Sequence, residues 1–174
     1  MMKTEGPEHI EDPAVLQKKM GVLEILSQAI YNEQSAHEFY AGLAGQIVNT
    51  QARAMFTGLA DDEQRHRRLL EARYREMSQG QFFPFDAGKV KKISLSVDSQ
   101  TKAVDAVELA MAAEQGASES YRAAAAQAQD AEGKRMFESL AEEEDRHHEI
   151  LLAERESLLG RPYWFSADEQ RTME

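Results

Sequence analysis

Two stretches of this chain match each other without a gap. Glu33, Tyr40, Phe56, Leu59, Glu63, Arg65 and His66 recur 81 residues later as Glu114, Tyr121, Phe137, Leu140, Glu144, Arg146 and His147. Gln34, Glu38 and Met55 keep the same offset with Gln115, Glu119 and Met136. Tyrosine, phenylalanine and histidine are not common helix filler, so the matches mark one unit present twice, each copy about half the chain. A length of 174 residues suits one domain with a real core.

Each unit reads as a pair of helices. Alanine, leucine, glutamate and glutamine are abundant, and the chain has only 4 prolines. Asp12 before Pro13 is a helix start signal, and the first helix is predicted to run to about Ile47 with a bend near Gly21. Asn49 or Thr50 caps a second helix that reaches about Ser78, before Gly80. The third helix spans roughly Lys102 to Gln129, and the fourth starts at a cap on Asp130 and ends near Gly160. The joints within each pair are a few residues long, which makes each pair an antiparallel hairpin. The expected fold is all-α, a four-helix bundle of two hairpins. Its expected divisions are a flexible segment 1–12, the bundle 13–160 and a tail 161–174.

The segment over about 79–101 is too long for a simple turn and is predicted to cross back along the bundle. Its alternating stretch suggests an extended chain with Val90, Ile93, Leu95 and Val97 partly covered, with strand pairing left open. The aromatic run Tyr163-Trp164-Phe165 is expected to pack over one end of the bundle, with a subunit interface as the alternative.

The apolar stripes of the helices are interrupted at mid-length. In the second helix Phe56, Leu59, Glu63, His66 and Leu70 have the 3-4-3-4 spacing of a core seam, and Phe137, Leu140, Glu144, His147 and Leu151 repeat it in the fourth. Leu26, Glu33, Tyr40 and Ile47 recur every seven residues in the first helix, as do Val107, Glu114, Tyr121 and Ala128 in the third. Ionised carboxylates cost several kcal/mol each in a core. No lysine or arginine falls on the seams beside these glutamates. Two divalent cations would balance four carboxylates, as would two ferric ions with one bridging oxide.

Ligand spacing agrees with metal. Glu63-Gln64-Arg65-His66 and Glu144-Asp145-Arg146-His147 are both Glu-x-x-His, and residues three apart on a helix share a face. One glutamate from each of two helices plus Glu-x-x-His from each of the other two is the known arrangement of di-iron and di-manganese carboxylate bundles. Oxygen and imidazole donors suit iron or manganese, and zinc also fits. The chain has no cysteine, so thiolate zinc sites, iron–sulfur clusters and disulfides are excluded.

On these residues the chain, from about Met20 to Leu159, resembles the rubrerythrin and bacterioferritin branch of the ferritin-like family. The resemblance implies a ferritin-like bundle holding two iron ions. Glu63 and Glu144 would bridge them, Glu33 and Glu114 would bind one ion each, and His66 and His147 would complete the set. Tyr40 and Tyr121 match a tyrosine found near the metals in such proteins and are the candidate catalytic side chains. Two departures stand out. Ala117 occupies the place of a second glutamate usual in rubrerythrins, and without cysteine there is no rubredoxin-like domain. Electrons must then come from a separate donor or from ferrous iron.

The resemblance implies an oxidoreductase acting on hydrogen peroxide or dioxygen, of peroxidase or ferroxidase type. Iron binding or storage without turnover is the alternative. A homodimer is expected by analogy. The net charge of −11 without a basic stripe argues against nucleic acid, and no apolar run is long enough to span a membrane. The polar, acidic N-terminus is unlike a signal peptide, so a cytoplasmic protein is expected. Among smaller signals, His37 reads as structural or as an extra donor. Glu38 and Glu119 read as solvated or supporting groups. Asp61, Asp62, Glu142 and Glu143 read as a solvated face or a guide for cations. Tyr40 and Tyr121 could hydrogen-bond a ligand carboxylate or pass electrons.

Overall fold

The computed structural model describes residues 13–93, 95–160 and Trp164, with residues 13–20 described by their backbone alone. Four long helices carry nearly all of it: α1 (Pro13–Gln46), α2 (Thr50–Met77), α3 (Gln100–Gln127) and α4 (Ala131–Gly160). Their boundaries follow local chemistry. The Asn49 side chain accepts from the Gln51 and Ala52 amides, 3.0 Å each, and starts α2. Asp130 does the same for α4 through the Gly133 amide at 2.8 Å. Past the end of α2, Gly80 takes a φ of +91° and its N–H returns to the Arg75 carbonyl at 2.8 Å, closing the helix. Ser99, not a residue nearer Lys102, caps α3, so that helix begins at Gln100.

Helices α1 and α2 pack along their length, as do α3 and α4. The chain from 78 to 99 returns along α1 from one end of the bundle to the other. Phe83 sets its ring edge against Tyr31 (5.4 Å between centroids) and Tyr74 (5.2 Å) at the lower end. Ser35 donates to the Lys91 carbonyl at mid-height. At the upper end Gln46 receives the Val97 amide at 2.9 Å and donates to the Leu95 carbonyl at 3.0 Å. The crossover holds a short 3-10 turn at Ala87–Lys89 and no strand among the described residues. Val90 and Val97 are buried, and Ile93 and Leu95 are half-buried. This return makes α2 and α3 run the same way, so α1 faces α3 and α2 faces α4.

The core is split into two apolar clusters. The upper one centres on Leu43, Phe56, Val107 and Leu158, and the lower one on Leu26, Leu70, Phe137 and Leu140. Between them lies the layer of glutamates and histidines. Trp164 is fully buried at the upper end. Its ring meets Phe56 edge-on at 5.3 Å, its Nε1–H donates to Glu154 Oε1 at 2.5 Å, and its carbonyl receives the Val48 and Asn49 amides. Of the aromatic tail, Trp164 thus packs over one end of the bundle. Tyr163 and Phe165, the segment 1–12 and the Asp12 cap lie outside the described residues. Trp164→Ala should cost about 3–5 kcal/mol in urea unfolding, because it leaves a cavity between two hairpins.

No helix is long and apolar enough to cross a membrane among the described residues.

Candidate metal centre

Helical periodicity delivers all six predicted side chains to one level. Glu33, Glu63, His66, Glu114, Glu144 and His147 are each 4% exposed or less. His66 Nδ1 lies 3.1 Å from Glu63 Oε2, 3.0 Å from Glu144 Oε1 and 3.8 Å from Glu33 Oε2. His147 Nδ1 lies 3.3 Å from Glu63 Oε1, 3.3 Å from Glu144 Oε2 and 3.7 Å from Glu114 Oε2. Glu63 and Glu144 therefore each turn one oxygen to either histidine. The imidazole rings lie nearly parallel, 5.6 Å apart.

Two groups of donor atoms result. Glu33, Glu63, His66 and Glu144 each offer an atom within 4.8 Å of the others, and so do Glu63, Glu114, Glu144 and His147. Glu63 Oε1, both Glu144 oxygens and His147 Nδ1 are buried without an aligned hydrogen bond. Buried polar atoms are nearly always satisfied in native proteins, so four orphans within these two donor groups mark a place for cations. The donor set of carboxylates and imidazole nitrogens fits two metal ions with Glu63 and Glu144 common to both.

The tyrosines act across the hairpins. Tyr40 on α1 donates its hydroxyl to Glu114 Oε1 on α3, and Tyr121 on α3 donates to Glu33 Oε1 on α1. Each unshared glutamate has one oxygen held by a tyrosine and the other turned to the centre. Burial raises both phenols well above their ordinary value, and the adjacent glutamates add to it, so both remain donors.

Two carboxylates that read as surface charge in the sequence prove to back the histidines. Glu143 Oε2 lies 3.1 Å from His66 Nε2, and Asp62 Oδ2 lies 3.4 Å from His147 Nε2. Asp62 and Glu143 are themselves 81 apart, and that shared offset was the available signal. Asp61 and Glu142 are exposed, as expected of a solvated face. Arg65 binds both Glu143 and Asp62 Oδ1, the latter at 3.0 Å. An outer carboxylate fixes the tautomer of a ligating histidine and turns its other nitrogen to the metal. Asp62→Asn or Glu143→Gln should weaken metal binding by about 10–100-fold in a chelator competition while leaving the helices intact.

His37 is not part of the centre. Its Nδ1–H donates to the Ala60 carbonyl at 2.8 Å, and Ser118, its repeat counterpart, donates to the equivalent Ala141 carbonyl at 3.2 Å. Glu38 and Glu119 are exposed and accept from Gln34 and Gln115 at 2.8 and 3.0 Å.

The electrostatics of the layer sorts the four glutamates into two pairs. Without metal, burial drives Glu33 well above the ordinary carboxylate range and pushes Glu114 up to about 8. Glu63 and Glu144 are buried too, but contacts from His147 and His66 outweigh burial and hold both below the ordinary value. Burial disfavours charge on His147, yet Glu114, Glu144 and Glu63 raise it to about 12, and a similar set raises His66. The histidine contacts thus favour charge on Glu63 and Glu144, while burial favours the protonated forms of Glu33 and Glu114.

Comparisons with known proteins bear on the family and the fold. A family model described as Rubrerythrin matches residues 24–155. A solved structure of a hypothetical protein from Pyrococcus furiosus is 30% identical, with a TM-score of 0.73 over 80% of this chain and 90% of that one. A bacterioferritin from Desulfovibrio desulfuricans, whose structure concerns its diiron site, is 22% identical with a TM-score of 0.70, covering 84% of each chain. KatB, a manganese catalase from Anabaena, is 18% identical with a TM-score of 0.64 over 93% of this chain and 82% of that one. Both of the latter share the fold. A comparison with curated proteins gave no match. With a helical bundle of ferritin-like form, a buried carboxylate–histidine layer and a family match over most of its length, the chain belongs to the rubrerythrin family.

Proposed function

We propose that this protein is a di-iron carboxylate oxidoreductase that reduces peroxide, with dioxygen as a second oxidant. The observation that carries the reading is the pair of interlocked donor groups sharing Glu63 and Glu144. Glu33 and His66 would complete one ion's set, and Glu114 and His147 the other's. Iron bound there supplies two electrons, one from each ion, and a Lewis acid for an oxygen–oxygen bond. The chain's own residues set the conditions. Glu63 and Glu144, common to both donor groups, would hold the two ions next to each other. Tyr40 and Tyr121 keep Glu114 and Glu33 from swinging away and offer hydroxyl protons beside the centre. The two apolar clusters exclude water above and below. Asp62 and Glu143 hold the histidine rings.

No cysteine is present to carry electrons, so re-reduction falls to ferrous iron or a separate donor protein. Manganese is the competing metal, because its ligand preference is the same. The test combines metal analysis with reoxidation. Protein loaded with ferrous iron should carry about two ions per chain. It should be reoxidised faster by hydrogen peroxide than by dioxygen, followed by near-ultraviolet absorbance. Retention of many irons per chain in a high-mass particle would instead establish storage.

A further inference from the structure

The two halves of the bundle differ where α1 faces α3. In the upper half Phe39 and Leu43 lie against the crossover beside Ile93 and Leu95, 6% and 1% exposed. Their repeat counterparts in the lower half, 81 residues on, are Ser120 and Ala124. Between α1 and α3 in the lower half these two smaller side chains line a groove of about 310 Å³. The helices also approach less closely here than within either hairpin. Ile25, Ala29 and Ala124 give the groove an apolar floor, and Asn32 and Ser120 lie at its rim. It ends on Glu33 and Tyr121, the glutamate beside His66 and the tyrosine bonded to it.

Hydrogen peroxide does not need this space. A water-sized molecule takes about 30 Å³, an order of magnitude less. Pockets of several hundred Å³ with an apolar floor and a few polar groups hold small organic molecules. We propose that the groove binds the hydrocarbon part of an organic hydroperoxide and presents its O–O end to the centre beside Glu33 and Tyr121. This rests on the peroxide-reducing reading above and names its substrate class. The balance is R–O–O–H plus two electrons and two protons, giving R–OH and water. The O–O bond breaks, the electrons come from two ferrous ions that become ferric, and the protons come from solvent.

Two measurements test it. Protein loaded with zinc, which is redox-silent, is titrated with cumyl alcohol, the product of cumene hydroperoxide reduction, by NMR. Binding should saturate, with shifts at groove residues. Ser120→Phe and Ala123→Trp, both at exposed lining positions where the helix tolerates bulk, should each weaken it by at least about tenfold. In the ferrous protein the same variants should lower the ratio of kcat/KM for cumene hydroperoxide over hydrogen peroxide by a similar factor. Absence of saturable alcohol binding overturns the proposal, whether the groove is shallow or covered by a second copy of the chain. Equal binding by both variants overturns it too. If hydrogen peroxide is reduced while the alcohol does not bind, the peroxidase reading stands alone. If the alcohol binds but neither peroxide oxidises the iron, the peroxidase reading falls and takes hydroperoxide reduction with it.

Discussion

Glu144→Ala should release both metal ions, not one. Glu144 and Glu63 belong to both donor groups, whereas Glu33 and Glu114 each belong to one. Removing a shared carboxylate takes a ligand from each ion and also removes the negative charge that separates the two cations. The expected result in equilibrium dialysis is a fall from about two ions per chain to less than half of one. Glu33→Ala should keep more, because the group around Glu114 and His147 is intact. Helical content should persist in all of these variants, since both apolar clusters remain. Equal losses for Glu33→Ala and Glu144→Ala would break the assignment of shared and unshared ligands.

Metal uptake should release protons and strengthen steeply with pH. Without metal, Glu33, Glu114, His66 and His147 are all shifted toward their protonated forms. Ligation requires each to lose one, so filling both sites expels on the order of four protons. Two protons per ion correspond to as much as ~100-fold in apparent affinity per pH unit. The metal-free protein responds in the opposite sense. Glu114 and His147 bind protons more tightly in the fold, at about 8 and about 12, than at their ordinary values of 4.5 and 6.5. The stability they bring is fully present below those lower values and is lost as pH climbs to the upper ones. Glu63 and Glu144 have the contrary sign, and their contribution disappears only in acid, below 4.5. The gain in Tm on adding metal should therefore widen from about pH 6 to pH 8.5 in thermal melts. Calorimetry in buffers of different ionisation enthalpy counts the protons, and a count near zero would contradict the protonated centre.

The fold was legible in the sequence because it rests on strong local rules. The repeat exposed the two hairpins, and Asn49, Asp130 and Gly80 marked where helices begin and stop. The six side chains of the centre were legible for a related reason, since polar residues on an otherwise apolar stripe demand an explanation. What escaped notice depended on partners from a different helix. Asp62 and Glu143 look like ordinary solvated charges along their own helices, and only the α2–α4 contact brings each to the histidine of the other. The pairing of Tyr40 with Glu114 is of the same kind. Seven residues after Glu33, it sits two turns away on α1, and the antiparallel run of α3 places it beside Glu114. The opposed shifts of the four glutamates also lay beyond pattern reading, because they depend on Ångström-scale contacts among six groups.

The crossed tyrosines have a consequence for how the halves of the molecule depend on one another. Each duplicate supplies the clasp for its sibling's glutamate and lacks one for its own. Neither half can assemble a finished coordination shell in isolation. A single nick in the exposed stretch near Phe82 would thus yield two fragments that stay married through the centre, and the bound metal would be the rivet.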